Sequence, residues 1–346
     1  MLLRNLILFL FIFLNGCGQK ESVHQYKEYI FGTIVDIKIY EEDKQKSDQI
    51  SDLIFDDFQR LHKYLHPWKK GLISDMNLSL SKGKNFIVDD PEIIRILQEN
   101  IELAQKSNNY FNPAMGKLIG LWGFHSENLN QNIPSSSSIN DFVSNMPLMS
   151  DLVITDKIIK SQNKNFQLDL GGYAKGYALD RAKVILESNN IKNALVNIGG
   201  NIIALGKRGD RKWRVGIQHP RKPSAIASVD LSPGWSIGTS GDYQRYFILK
   251  EKRYSHLIDP HTGYPSQNSQ STTIMIPPSA NSGVISDAYS KPLFIAPEER
   301  KIELAKSLSI DFYMIVMNNN KILISKEMSN YINWIDLDNE EIITTH

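Results

Sequence analysis

The sequence predicts an α+β fold: one large domain in which mixed or antiparallel sheets are flanked by helices. Two observations carry this. Short runs of alternating or continuous apolar residues recur along the chain and dominate its second half. Helical periodicity appears in separated blocks and not between every pair of strands, which argues against a doubly wound sheet.

The elements follow in order. Residues 30–40 alternate apolar and polar (Val35, Ile37, Ile39) and predict a strand. Residues 47–66 carry Ile50, Leu53, Ile54, Phe58 and Leu61 at helical spacing, and residues 91–107 do so with Ile94, Ile96, Leu97, Ile101 and Leu103 behind Pro91. Residues 128–145, rich in Ser, Asn and Pro, predict an exposed loop. A strand over 166–170 is expected to run through Gly171-Gly172 into a helix ending near Asn189. Strands are predicted over 193–198, 213–218, 225–231, 272–276, 312–317 and 321–324, with helices from about Ala280 and over 297–308.

The amino terminus sets the expected compartment. Arg4 precedes an apolar run over 6–14, about right for an export signal and short of the roughly 20 residues of a membrane span. Leu14-Asn15-Gly16-Cys17 resembles a bacterial lipobox, and Cys17 is the only cysteine. Lipidation would retire a thiol that is a liability in an oxidising compartment. The expected organisation is a lipoprotein signal over 1–16, a polar lipidated tether over 17–26 and a folded domain over 27–346. The domain is expected to face the periplasm from a membrane, the inner one by preference. With 39 basic and 38 acidic residues, the chain lacks the basic surplus of a nucleic-acid binder.

Three glycine-bearing turns could carry chemistry. Gly171-Gly172 would let main-chain N–H groups approach an anion at a helix start, with Lys175 adding positive charge. The spacing is neither a Walker loop nor a dinucleotide fingerprint, and packing alone would also explain the glycines. Gly199-Gly200 reads in isolation as a tight hairpin. The loop 238–243, with Thr239, precedes His256 and an Asp-Pro turn; a lone histidine is more often structural than catalytic, although an unperturbed imidazole accepts a proton near neutral pH. Asp287 could cap a helix or hold a hard cation.

Taken in order, these motifs resemble the FAD:protein FMN transferase (ApbE-like) family. They comprise Phe31-Gly32-Thr33, Trp68, Ser74-Asp75-Met76-Asn77, Phe111-Asn112-Pro113-Ala114-Met115-Gly116, the run from Asp169 that includes Tyr177, Asn197-Ile198-Gly199-Gly200, Thr239-Ser240-Gly241-Asp242-Tyr243, residues 254–265 and Asp287. The resemblance implies an ApbE-like, T-fold-related domain that moves FMN from FAD onto a Ser or Thr hydroxyl of a target protein and releases AMP. It also implies magnesium, held by the carbonyl of Ala174, by Asp287 and by a threonine four residues later. It implies a flavin pocket built from Phe31, Met76, Asn77, Phe111, Asn112, Gly171 and His256 through Ile258. Gly172, Lys175, Tyr177, Gly199, Gly200 and Thr239 are further expected ligand contacts, and His256, Asp287 and Lys175 the expected catalytic set. The implied acceptors are extracytoplasmic domains of membrane redox proteins.

Position 291 departs from this pattern: Lys291 stands where the metal-binding threonine is expected, and an ammonium cannot ligate a cation. Water could replace the lost ligand, the ammonium could take over charge neutralisation, or Ser290 could serve instead. Two other activities stay open: an FAD pyrophosphatase giving FMN and AMP, and a flavin-binding lipoprotein without catalysis.

Overall fold

The computed structural model describes residues 22–40, 43–126, 132–337 and 340–345. The signal segment and Cys17 lie outside the described residues. Among the described residues the backbone of the fold is a nine-stranded sheet. Its spatial order is Val23–Ile30, Thr33–Tyr40, Ala194–Ile198, Asn201–Leu205, Ser236–Gly241, Ser269–Ile276, Phe312–Met317, Lys321–Ser325 and Glu341–Thr345. Neighbours run antiparallel except the last pair, which is parallel.

Both faces of this sheet are covered, which explains the continuous apolar runs in its central strands. Val196, Ile198, Ile203 and Leu205 point into one core with Ile54, Phe58 and Leu61 of the helix Lys44–Tyr64 and with the helices Ala174–Ser188 and Ser282–Ile295. Their neighbours Leu195, Ile202 and Ala204 point the other way, onto Trp213, Val215, Ile226 and Val229. Those residues belong to a three-stranded sheet of Trp213–Gln218, Ala225–Leu231 and Ile332–Trp334. The layers are therefore helices, large sheet, small sheet. A third cluster, with Trp122, Phe124, Ile139, Phe247 and Ile258, braces the hairpin Tyr246–Leu249/Lys252–Ser255.

The helix starts obey local rules. Asp43 accepts from the Lys46 N–H, and Asp90 from the Glu92 N–H ahead of Pro91. Three expectations need correction. The first strand begins at Val23, so residues 23–26 belong to the sheet edge and not to a tether. Within 128–145, Ser136–Ser144 is a helix capped by Ser135, because serines that read as loop formers also make good N-caps. Residues 166–170 are extended but join no sheet beyond a single Met115–Gln167 bridge. The side chain of Asn77 pins them by bonding both the N–H and the carbonyl of Leu168.

Candidate active site

Two helices cross where the chemistry is concentrated. Gly176 and Gly283 meet at the crossing. A Cβ on Gly176 would lie 2.4 Å from the Gly283 carbonyl oxygen, and one on Gly283 would lie 2.5 Å from that of Gly176. Each glycine is followed four residues later by an aspartate whose carboxylate caps the other helix. Asp180 accepts from the N–H groups of Gly283 and Val284 at 2.7 and 2.8 Å. Asp287 accepts from the Gly176 N–H at 2.9 Å. The same pattern, glycine, three residues, aspartate, thus occurs in both helices and satisfies otherwise orphaned N-terminal donors reciprocally. Burial pushes the Asp180 carboxyl up to about 7, opposed by those two backbone bonds.

At the Asp287 end the arrangement acquires charge. The Lys291 ammonium donates to the Asp287 carbonyl and to its Oδ1, both at 2.7 Å. Its stem crosses the glycine turn, where a Cβ on Gly172 would meet Lys291 Cε at 2.9 Å and Phe111 Cε2 at 3.4 Å. Burial pulls the Lys291 ammonium down from the usual lysine range; Asp287 opposes this and Lys175 adds to it. Lys175, on the first turn of its helix, has no hydrogen-bond or ion-pair partner among the described residues.

His256 faces the same charges. Its Nδ1 lies 3.2 Å from the Arg245 carbonyl, which can only accept. The ring proton is therefore assigned to Nδ1, and Nε2 is left bare. Burial, reinforced by Lys175, pushes the imidazole down to about 3. This corrects the expectation of a histidine titrating near neutrality: with the site free of anions, the ring is neutral at all physiological pH. Arg245 went unnoticed in the sequence, where nothing distinguishes it from a surface arginine. Its Nε is buried without a partner among the described residues. Asp169 lies nearby, bonded to the Gly171 N–H and the Trp68 indole, and burial raises its carboxyl.

The neutral histidine has a testable signature. Between pH 6.5 and about 3 the unfolded chain binds a proton that folded His256 refuses. Its stabilising contribution is complete above pH 6.5 and is lost progressively as the pH falls from there to about 3, at up to about 1.4 kcal/mol per pH unit. Urea midpoints recorded from pH 7 to pH 4 should fall less steeply for His256→Gln than for the parent chain. Equal slopes would mean that the ring is charged in the folded state.

The remaining expected residues divide. Phe111 and Gly172 join the cluster. Phe31 lies in a two-residue turn with φ of 55°, its ring packed on Phe58 and His62. Gly199 and Gly200, with φ of 58° and 97°, form the adjoining hairpin turn. Their N–H groups are already spent on the Ile34 carbonyl and the Asn197 side chain, so they do not form an open anion cradle. Met76 is fully buried in the main core. Asn77 is consumed by Leu168, and Asn112 by the Pro147 carbonyl and the Ala114 N–H. The Ile258 side chain packs in the third cluster. The Thr239 hydroxyl pairs with that of Thr273 at 2.9 Å. Tyr177 is directed away: its hydroxyl lies between Glu92 and Arg95 on another helix.

The residues around Asp287 do not fit magnesium. One carboxylate oxygen holds the Gly176 N–H, and the other holds an ammonium that also occupies the Asp287 carbonyl. Ser290 cannot stand in, because its buried hydroxyl bonds Ser240 and the Asp287 carbonyl. Lys291 is thus no ligand but a competing cation. Among the described residues no group of three His, Cys, Asp or Glu side chains could hold a metal ion.

The chain is similar to known proteins. The model of the ApbE family matches residues 31–314. A Rhodobacter capsulatus protein named FAD:protein FMN transferase is 33% identical over 300 residues, 87% of this chain; the chain spans 56% of that relative's length. A Treponema pallidum protein of the same name is 27% identical over 322 residues, covering 84% of each chain. The crystal structure of an ApbE protein from Thermotoga maritima superposes with a TM-score of 0.81 at 28% identity, covering 90% of this chain and 99% of that one.

Proposed function

Because this chain belongs to the ApbE family, we propose that it is an FAD:protein FMN transferase, moving FMN from FAD to a Ser or Thr hydroxyl of a protein acceptor. The observation that carries the reading is the gathering of positive charge at one glycine turn at a helix start: Lys291 crosses the turn, Lys175 follows it on the helix, and both act on the His256 ring. Such a site suits a pyrophosphate: fixed positive charge and main-chain dipole meet the anion in an enclosed place.

In the reaction the acceptor oxygen attacks the phosphorus on the flavin side. The new O–P bond forms as the bridging P–O bond breaks, and AMP leaves with the bridging oxygen and the bonding pair. Lys175 and Lys291 offset the charge gathering on the phosphoryl and leaving oxygens. The hydroxyl proton passes to Nε2 of His256. A bound anion favours that transfer by raising the basicity of a ring that is otherwise held neutral. The residues around Asp287 do not fit a metal ion, and the two ammonium groups stand in its place.

Cys17 and the apolar segment before it support a lipid-anchored enzyme working outside the cytoplasm, on extracytoplasmic domains of membrane redox proteins. The test is a labelling assay with FAD and a Ser/Thr-bearing acceptor domain, with and without magnesium. A fluorescent acceptor band on a denaturing gel, with one AMP per FMN attached, is the expected result. AMP and free FMN with a dark acceptor band would assign a pyrophosphatase instead. Neither product would leave a flavin-binding protein without catalysis.

A further inference from the structure

The same site, on the reading just given, carries a second conclusion. We propose that the Lys291 ammonium is the resident counter-ion of the pyrophosphate, so that this chain binds and processes its dinucleotide without a divalent cation.

The position is built for a fixed cation. Two of the three ammonium donors are committed to Asp287, at 2.7 Å each, and one is left for a ligand. The Asp287 side chain is 2% exposed and that of Lys291 15%, so the carboxylate is enclosed and the ammonium can still be reached. The stem is confined as well, since it crosses the turn where Gly172 offers no Cβ. A cation so held needs no reorganisation when the anion arrives.

Charge balance points the same way. Asp287 is one carboxylate paired with the Lys291 ammonium, and Lys175 is a second ammonium close enough to depress Lys291. The second Asp287 oxygen is spent on the Gly176 N–H. The cluster therefore carries surplus positive charge, which a pyrophosphate relieves and a divalent cation would increase. Metal-dependent phosphoryl chemistry uses the ion as a mobile clamp on phosphoryl oxygens; here a side chain anchored to the 282–295 helix occupies that place.

The experiment measures FAD binding by quenching of flavin fluorescence, and transfer by acceptor labelling, each in EDTA and in millimolar magnesium. The full folded domain is used. The parent chain should bind FAD with a Kd that changes less than twofold between the two conditions, and should label the acceptor in EDTA. Lys291→Met should weaken binding by about 10- to 100-fold in both. Lys291→Thr should show the same loss in EDTA and recover at least tenfold with magnesium. Circular dichroism and thermal melts of both variants separate these losses from misfolding. Parent-chain binding or labelling that disappears in EDTA and returns with magnesium overturns this proposal and leaves the transferase reading intact. Metal-independent FAD binding with no acceptor labelled leaves the counter-ion in place and sinks the transferase reading. Absence of FAD binding both in EDTA and in magnesium overturns both.

Discussion

Asp287→Ala should reduce FMN transfer by about two to three orders of magnitude, the scale on which loss of a single preorganised electrostatic group is felt. The carboxylate does two things at once. One oxygen terminates the 174–188 helix at Gly176, and the other holds the Lys291 ammonium against the glycine turn. Removing both leaves a buried N–H unsatisfied, at a cost of about 1–3 kcal/mol, and releases the cation from its register. Asp287→Asn separates the two roles. An amide oxygen can still accept from Gly176, while the charge that fixes Lys291 is gone. Its stability should therefore recover most of the parent value, and its transfer rate should stay near that of the alanine variant. Initial rates from the gel assay and urea midpoints on the same samples decide the matter. A rate for Asp287→Asn close to the parent would show that the carboxylate acts only as a helix cap.

The second large effect concerns stability. Gly176→Ala places a methyl carbon 2.4 Å from the Gly283 carbonyl oxygen, which is backbone and cannot step aside. The helices must move apart, and both aspartate caps lengthen together. Overpacking of this kind costs about 1–3 kcal/mol, and weakening the paired caps adds to it. A fall in Tm of about 2–5 °C follows for a domain of this size. Gly200→Ala is the useful contrast. Nothing lies within 4 Å of its added Cβ, so only the positive φ is penalised, at about 1–2 kcal/mol. Equal melting temperatures for the two variants would contradict the close-packed crossing. Gly283→Ala should resemble Gly176→Ala, since it meets the Gly176 carbonyl at 2.5 Å.

Much of this was legible in the residues. The strands over 213–218, 225–231 and 312–317 lie where alternation and β-branched runs predict them, because burial on a sheet face leaves a local signature. The glycine turn, Lys175, His256 and Asp287 were also visible, since anion chemistry asks for few residue types. Other parts left no local trace. The first strand at Val23–Ile30 has a mixed, half-exposed pattern and is specified by its partner across the hairpin. Asn77 and Asn112 look like ligand contacts in a motif, yet each spends its amide on distant backbone. Only a structure reveals such long-range clamps. The histidine could be found, but its neutrality could not, because that follows from burial and from a lysine 81 positions earlier in the chain. Arg245 was missed for the same reason. The paired Gly-Tyr-Ala-Leu-Asp and Gly-Val-Ile-Ser-Asp segments were in plain view. They gain meaning only once the two helices are known to cross.

That crossing gives the protein a built-in reference. Asp180 and Asp287 perform the same capping task at opposite ends of one near-symmetric contact, but only Asp287 also holds an ammonium. One aspartate caps a helix and does nothing more, while the other also fixes a cation. The loss of stability caused by Asp180→Ala therefore measures what the shared architectural role is worth. Subtracted from the stability lost in Asp287→Ala, it leaves the share that belongs to holding the Lys291 ammonium.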